Sequence, residues 1–340
     1  MKNIFGLKYE ELEAFLLSID EKKYRAKQIY EWLYGHKIFT YDAMSNLSKA
    51  LINKLKNNIS NDLIQIKDKQ VSQNVIKYLF ALPDNQCIEA VLMRHEYGNS
   101  LCVSTQVGCN MGCAFCESGR LKKVRDLTPS EMVGQVLVAE QDLNERIDSV
   151  VIMGIGEPFD NYDHVMSFIR IINHPYGLAI GARHITVSTC GIIPKIEEFA
   201  KENLQVNLAI SLHAPNDEVR KELMAIGKVY KVDDLIKALK AYIVKTNRRI
   251  TIEYVMLMYI NDSQEQAKEL ANLLKGMNVY VNLIPYNETS HLEYKKSSPE
   301  RIKLFYDTLK KAKIDVTIRR EYGSNIAAAC GQLRSERSAK

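Results

Sequence analysis

Leu208-Ala-Ile-Ser-Leu-His-Ala-Pro-Asn-Asp217 starts as an apolar run and breaks directly into polar, turn-forming residues. The same switch recurs where 149–153 meets Gly154-Ile-Gly-Glu-Pro158, where 184–188 ends in Ser188-Thr-Cys-Gly191, and where 279–285 ends in Pro285-Tyr-Asn287. Short apolar runs bounded by turn residues read as buried strands. Strand candidates fall at 101–105, 149–153, 184–188, 206–211, 250–256, 279–285 and 316–319, with helix candidates between them. Such alternation predicts an α/β fold with a parallel sheet, and about six units suit a curved, partly open barrel as well as a doubly wound sheet. The polar motifs decide between them. Each follows directly on a strand, so their side chains gather at the carboxyl ends of the strands, where barrel enzymes keep their active sites. The expectation is a partial (β/α)6-type barrel over 101–334.

Working outward, the first 62 residues read as a small helical accessory domain. Leu12, Phe15 and Leu16 follow a helical period, as do Ile29, Trp32 and Leu33, and a third segment near Leu51 to Leu55 is rich in Lys and Asn. Residues 63–100 change to β-like runs such as Val75-Ile-Lys-Tyr-Leu-Phe80 and Ile88-Glu-Ala-Val-Leu-Met93, broken at Pro83-Asp-Asn85. They are expected to link the helical unit to the barrel. Residues 335–340 read as a frayed tail.

With 340 residues, 46% hydrophobic and 26% charged, the chain can bury a large core and a smaller one, and disorder is not expected. Its net charge of +5 is compatible with nucleic acid but argues for it only where basic residues cluster. No apolar h-region occupies the first residues and no apolar run reaches about 18 residues, so neither secretion nor membrane insertion is expected. A cytoplasmic protein is. Seven cysteines in such a chain fit reduced thiols, metal ligands and catalysis better than a disulfide framework.

Three of them stand in Val107-Gly-Cys-Asn-Met-Gly-Cys-Ala-Phe-Cys116. This CxxxCxxC spacing supplies Cys109, Cys113 and Cys116 to three irons of a [4Fe-4S] cluster and leaves the fourth iron open to the amino and carboxylate groups of a small molecule. That is the logic of S-adenosylmethionine radical chemistry. A structural zinc site would want a fourth Cys or His at compatible spacing, and no His lies between Cys109 and Lys123.

The other motifs each carry a plainer reading beside the functional one. Gly154-Ile-Gly-Glu-Pro158 lacks the third glycine of a dinucleotide fingerprint. It suits either a close backbone approach to a ligand, with Glu157 receiving an ammonium group, or a tight strand-to-helix turn. Ser188 and Ser211 read as ligand contacts or as helix caps, and His213 as a ligand contact or a hydrogen-bonded structural histidine. Cys330, beside glycine and downstream of Arg319-Arg320, is a candidate thiolate nucleophile or a small core residue. Cys102 lies on the strand that leads into the cysteine loop, and Cys87 and Cys190 are assigned to packing. Basic clusters recur at Lys22-Lys23 with Arg25 and Lys27, at Lys49, Lys54 and Lys56, at Lys122-Lys123 with Arg125, at Arg248-Arg249, at Lys295-Lys296 and at Arg319-Arg320. Phosphate-binding surfaces and solvated helix faces both look like this.

Together with Arg125-Asp-Leu-Thr128, Met153-Gly-Ile-Gly-Glu-Pro158, Ile185-Thr-Val-Ser-Thr-Cys-Gly191, Arg248-Arg-Ile-Thr-Ile-Glu-Tyr254, Val281-Asn-Leu-Ile-Pro-Tyr-Asn287 and Ala328-Ala-Cys-Gly-Gln-Leu333, these motifs resemble the RlmN/Cfr family of radical S-adenosylmethionine RNA methyltransferases. The resemblance runs from about Tyr24 to Arg334. It implies a radical SAM barrel, a [4Fe-4S] cluster and two molecules of S-adenosylmethionine per turnover. It further implies methylation of an adenosine ring carbon, C2 as in RlmN, in 23S rRNA, with tRNA as a second substrate; C8, as in Cfr, is the alternative. By resemblance Cys330 first accepts a methyl group as a thiolate, and a 5′-deoxyadenosyl radical then removes hydrogen from that group. The resulting carbon radical adds to the base, and Cys102 releases the product through a transient disulfide with Cys330. Glu89 matches the family's proton acceptor, and Gly156, Glu157, Ser188, Ser211, Leu212, His213 and Asn287 match its S-adenosylmethionine contacts. Arg25, Gln28 and Trp32 resemble its N-terminal RNA-gripping module. A flavodoxin-type electron donor and a monomeric state are also implied. The chain departs from the family pattern at Cys116-Glu-Ser-Gly119, Lys122-Lys123, Ala225-Ile-Gly227 and Tyr259-Ile-Asn-Asp-Ser263, which bears on the choice of target. An enzyme that places a glycyl radical on a partner protein shares the cysteine spacing and a partial barrel, but has no use for Cys330 or a basic helical module.

Overall fold

A computed structural model describes residues 2–289, 291–319, 328 and 331–333. Cys330, Arg320 and the tail 335–340 lie outside the described residues.

The chain opens with three helices, α1 (Tyr9–Ser18), α2 (Arg25–Tyr30) and α3 (Lys49–Asn58). Leu12 and Leu16, Ala26 and Ile29, and Leu51 and Leu55 are completely buried, so the periodic residues mark the inner face of each helix. α2 runs on into a π-helical turn, Glu31–Gly35, that buries Leu33 and Tyr34. These helices share one continuous apolar core with the barrel helices behind them. Tyr9 stacks on His174 at 4.5 Å between ring centroids, and the Tyr30 hydroxyl donates to the Leu7 carbonyl at 2.6 Å.

Next come β1 (Gln65–Ser72), β2 (Val75–Ala81) and β3 (Cys87–His95), an antiparallel meander that pairs through β4 (Gly98–Cys102) with the parallel strands. The stretch expected to be a connector is thus part of the barrel's own sheet. Its first strand escaped notice because β1 is almost entirely exposed and carries no apolar alternation.

A short ribbon, β5 (Gln106–Val107) with β6 (Arg125–Asp126), closes the base of the cysteine loop. Then follow α4 (Pro129–Leu143), β7 (Ser149–Ile152), α5 (Tyr162–Asn173), β8 (Ile185–Thr189), α6 (Ile193–Phe199), β9 (Asn207–Ser211), α7 (Asp217–Leu223), α8 (Val232–Thr246), β10 (Ile250–Met256), α9 (Gln264–Leu274), β11 (Val279–Pro285), α10 (Pro299–Lys311) and β12 (Asp315–Ile318). Every strand expected after residue 100 is present. The ten-stranded sheet has the order β1-β2-β3-β4-β7-β8-β9-β10-β11-β12, parallel from β4 onward, and its two edge strands do not pair with each other. The barrel is therefore partial. Local chemistry fixes where helices begin: Thr128 and Glu131 form a capping box at α4 with Pro129 at its first position, and Ser263 with Gln266 does the same at α9. Such caps contribute about 1 kcal/mol each. No described helix is long and apolar enough to cross a membrane.

Candidate active site

The cysteine loop is held from three sides. Cys109 N–H donates to the Leu121 carbonyl at 3.0 Å, Ala114 N–H to the Leu223 carbonyl at 2.9 Å, and Glu117 N–H to the Gly331 carbonyl at 2.8 Å. Backbone bonds of this kind leave side chains free to point inward. Cys109, Cys113 and Cys116 line one open-mouthed cavity with Gly156, Glu157, Ser188, Ser211, His213 and Asn287. Of the nucleotide-contact residues expected from the sequence, only Leu212 stands aside. Its side chain is in the main core, and its backbone offers a carbonyl to Arg220 and an N–H to the Glu253 carbonyl.

The Gly154–Pro158 turn is locked to the root of the cysteine loop. Gln106 is completely buried; its Nε2 donates to Asp126 at 2.8 Å and Asp160 at 2.9 Å, and its Oε1 accepts the Glu157 N–H at 2.9 Å. Gly156 sits at φ +107°, and a Cβ there would fall 2.6 Å from the Gln106 Cβ. Only glycine fits so close an approach. Glu157 accepts the Phe159 N–H at 3.0 Å and the Cys190 N–H at 2.8 Å, one on each carboxylate oxygen. Burial raises its pKa and these hydrogen bonds oppose the rise. Glu157 caps the turn and also lines the cavity, so its role in the turn does not remove it from the cavity wall.

Ser188 and Ser211 are not helix caps. α6 begins after Ile192, and α7 is capped by Asn216, whose side chain accepts the Val219 N–H at 3.1 Å. His213 has φ +57° and is buried, with Phe115 edge-on at 4.9 Å. Burial and the nearby Arg220 charge push its pKa down to about 3, so the ring is neutral.

The three thiols fit an iron-sulfur cluster. Burial, with repulsion from Cys116, pushes the Cys109 thiol up to about 12 and the Cys113 thiol well above its ordinary value. Such groups become thiolates only when a strong cation replaces their protons. Among the described residues no three His, Cys, Asp or Glu could hold a single metal ion. A cluster gives each thiolate its own iron, as a lone zinc does not.

Glu89 and Cys102 do not line this cavity. Cys102 pairs with Val91 across β3 and β4, so Glu89, two residues from Val91, shares its face of the sheet. Glu89 is buried with Lys77 Nζ 3.4 Å from its Oε1. Cys102 belongs to an apolar cluster with Val75, Val91, Met93, Ile155, Ala328 and Leu333. Ala328 and Leu333 bracket Cys330 in sequence, and Ser118 of the cysteine loop donates to the Leu333 carbonyl at 2.9 Å. The transient disulfide that the resemblance implies is not supported: none joins two described residues, and Cys330, its other half, lies outside them.

Arg25, Gln28 and Trp32 have work inside the helical unit. Arg25 donates to Gln28 at 2.8 Å, and Trp32 Nε1 to the Asn46 side chain at 2.6 Å. Lys54 and Lys56 are likewise paired, with Glu21 and Asp42, whereas Lys22, Lys23 and Tyr24 are exposed. Sequence reasoning missed Glu253, a buried carboxylate on the cavity wall that accepts from Asn282 at 2.9 Å. The available signal was a lone Glu inside the apolar strand Ile250–Met256. Cys190, assigned to packing, is buried but also lines the cavity.

A partial parallel barrel with a three-cysteine loop over the carboxyl ends of its strands defines an enzyme of the radical SAM class. The radical SAM superfamily model matches residues 103–274, and a ribosomal RNA large subunit methyltransferase N-terminal domain matches residues 2–60. The chain is 55% identical to a probable dual-specificity RNA methyltransferase RlmN of Acholeplasma laidlawii, covering 98% of this chain and 99% of that protein. It is 53% identical to the protein of the same description from Enterococcus faecalis, over 100% and 98%. A radical SAM methyltransferase from Sphaerobacter thermophilus superposes with a TM-score of 0.94 at 41% identity, covering 99% of this chain and 100% of that one. The chain belongs to the RlmN family of radical SAM RNA methyltransferases.

Proposed function

We propose that this enzyme methylates C2 of an adenosine in 23S rRNA and also acts on tRNA, consuming two molecules of S-adenosylmethionine per turnover. When bound, the cluster and S-adenosylmethionine supply the methyl group and the radical that activates it. The protein's own residues do the rest. Cys109, Cys113 and Cys116 hold the cluster. The backbone at Gly156 and Glu157, with Ser188, Ser211 and Asn287, orients the nucleoside, and neutral His213 offers its Nε2–H without adding charge. Cys330 carries the methyl group, and Cys102 and Glu89 assist release of the product, Glu89 by accepting a proton.

The observation that carries this reading is the shared apolar patch of Cys102 with Ala328 and Leu333, which stand on either side of Cys330 in the sequence, against the cysteine loop. A glycyl-radical activator has no need of that arrangement. Residues 1–62 serve as the RNA-gripping unit, 63–100 as the wing that carries Glu89, and 101–334 as the barrel. The enzyme works in the cytoplasm as a monomer, with a flavodoxin-type protein as electron donor.

The test is mass spectrometry of nucleosides from rRNA and tRNA after anaerobic incubation with S-adenosylmethionine and reductant, comparing wild type with Cys330→Ala. 2-Methyladenosine from wild type alone is the expected result. 8-Methyladenosine would move the target to C8, and cleavage of S-adenosylmethionine without either isomer would remove RNA methylation of these substrates.

A further inference from the structure

Arg220, on α7, has the largest of the fully buried side chains, only 1% exposed. Its Nη1 donates to the carbonyls of Ser211 at 3.0 Å and Leu212 at 2.5 Å, and its Nη2 to the carbonyl of Cys190 at 2.6 Å. Nη1 also lies 3.5 Å from the Met224 sulfur, and Nε has no hydrogen-bond partner among the described residues. Every one of these contacts is to a neutral group. The fold makes room for the side chain with two glycines: a Cβ at Gly227 would lie 3.1 Å from it, and one at Gly191 would lie 3.3 Å from Nη2.

A guanidinium taken out of water is strongly unfavourable unless an anion shares its low-dielectric surroundings. Among the described residues the acidic group that acts on it is Asp217, and this side chain is engaged elsewhere, accepting the Val232 N–H at 2.7 Å. His213 is neutral, and the remaining titratable neighbours among the described residues are the thiols of Cys113 and Cys190. α7 is fastened to the cysteine loop by the Ala114–Leu223 backbone bond, and Leu223 and Met224 pack with Phe115, Cys113 and Cys116. Arg220 does not itself line the cavity, so it acts on what the cavity holds through charge rather than contact. The missing anion is the one that forms when the three thiols give up their protons to iron.

We propose that Arg220 is the built-in counter-charge of the iron-sulfur centre on Cys109, Cys113 and Cys116, a positioning residue that makes that centre easier to reduce. This rests on the cluster reading given above. Adding an electron increases the negative charge behind the cavity wall, and a fixed cation there favours the reduced form, so the midpoint potential rises. The same guanidinium ties together the ends of β8 and β9, from which Ser188, Ser211 and His213 project.

The test is an anaerobic redox titration of the reconstituted full chain, without S-adenosylmethionine or RNA, following the electron paramagnetic resonance signal of the reduced cluster. Arg220→Gln is expected to shift the midpoint negative by about 59 mV, roughly tenfold in the one-electron equilibrium. Arg220→Lys, which keeps the charge, stays near wild type, and Asp217→Asn, which removes the opposing charge, shifts positive. A structural role alone would alter iron content or melting but not give shifts of opposite sign. A wild-type potential in Arg220→Gln, or a potential in Arg220→Lys as low as in Arg220→Gln, overturns the proposal. If Arg220→Gln does not fold, an unmoved or lowered potential in Asp217→Asn overturns it. Wild type that takes up no iron and shows no visible absorbance removes the cluster reading as well, whereas a loaded wild type with unmoved variant potentials removes only this one.

Discussion

His213 accepts the Val255 N–H on Nδ1 at 3.1 Å, which leaves the ring proton on Nε2 at the cavity wall. Because the folded pKa is about 3, far below the ordinary value of 6.5, the unfolded chain binds a proton that the folded chain refuses. The stabilising contribution is therefore complete above about pH 6.5 and is lost as pH falls toward 3, at up to about 1.4 kcal/mol per pH unit. His213→Gln removes that slope. Urea unfolding at about pH 7 and about pH 5 measures it. The same acid loss in wild type and variant would show that His213 is not the source.

Gly156→Ala tests how tightly the ligand-facing turn is tied to the cysteine loop. The new methyl group meets Gln106, whose three side-chain hydrogen bonds hold Asp126, Asp160 and the Glu157 backbone in place, and φ +107° disfavours any side chain. A loss of about 2–4 kcal/mol in stability is expected, from strain and from disturbed buried hydrogen bonds. Calorimetry reads it, together with a fall in S-adenosylmethionine affinity measured on the cluster-loaded protein. An unchanged melting temperature would mean that the turn relaxes freely.

The barrel was legible because parallel strands buried on both sides are short apolar runs, and the residues that end them at Gly154, Ser188, Ser211 and Pro285 break that pattern where the chain turns. The cysteine loop was legible because ligand spacing is a local property. Glu253 was not: its meaning depends on β10 being central in the sheet and on Asn282 standing beside it on β11, which only the pairing of strands reveals. Arg220 was hidden for the same reason. On α7 it reads as one more charge in Asp-Glu-Val-Arg-Lys-Glu-Leu, and nothing local says that the helix turns it inward. Strand β1 was not legible because a polar edge strand has no burial to impose alternation on it.

Iron removal should expose the thiol chemistry directly. With the Cys109 thiol pushed up to about 12, cluster assembly must expel protons, so iron retention falls as the solution is made more acidic. Cys113→Ala, lacking one ligand, is expected to lose the brown absorbance while keeping its far-ultraviolet circular dichroism. The loop's shape depends on backbone bonds such as Ala114 to Leu223 and Glu117 to Gly331. Wild-type iron content in Cys113→Ala would show that this cysteine is not a ligand.

Lys22 and Lys23 offer the cleanest test of the helical unit's role. Both are exposed next to exposed Tyr24, whereas Lys54 and Lys56 are tied to Glu21 and Asp42 and cannot answer a phosphate without breaking those pairs. If the unit grips RNA through its backbone, converting Lys22 and Lys23 to Gln weakens binding and lowers the magnitude of the log–log salt slope by roughly 0.7–0.9 per lost phosphate contact. Cleavage of S-adenosylmethionine without RNA should not change, because neither lysine lines the active-site cavity. Filter binding across a salt series separates the two possibilities: a lower affinity with the wild-type slope would mean that the lysines act through the fold and not through phosphate.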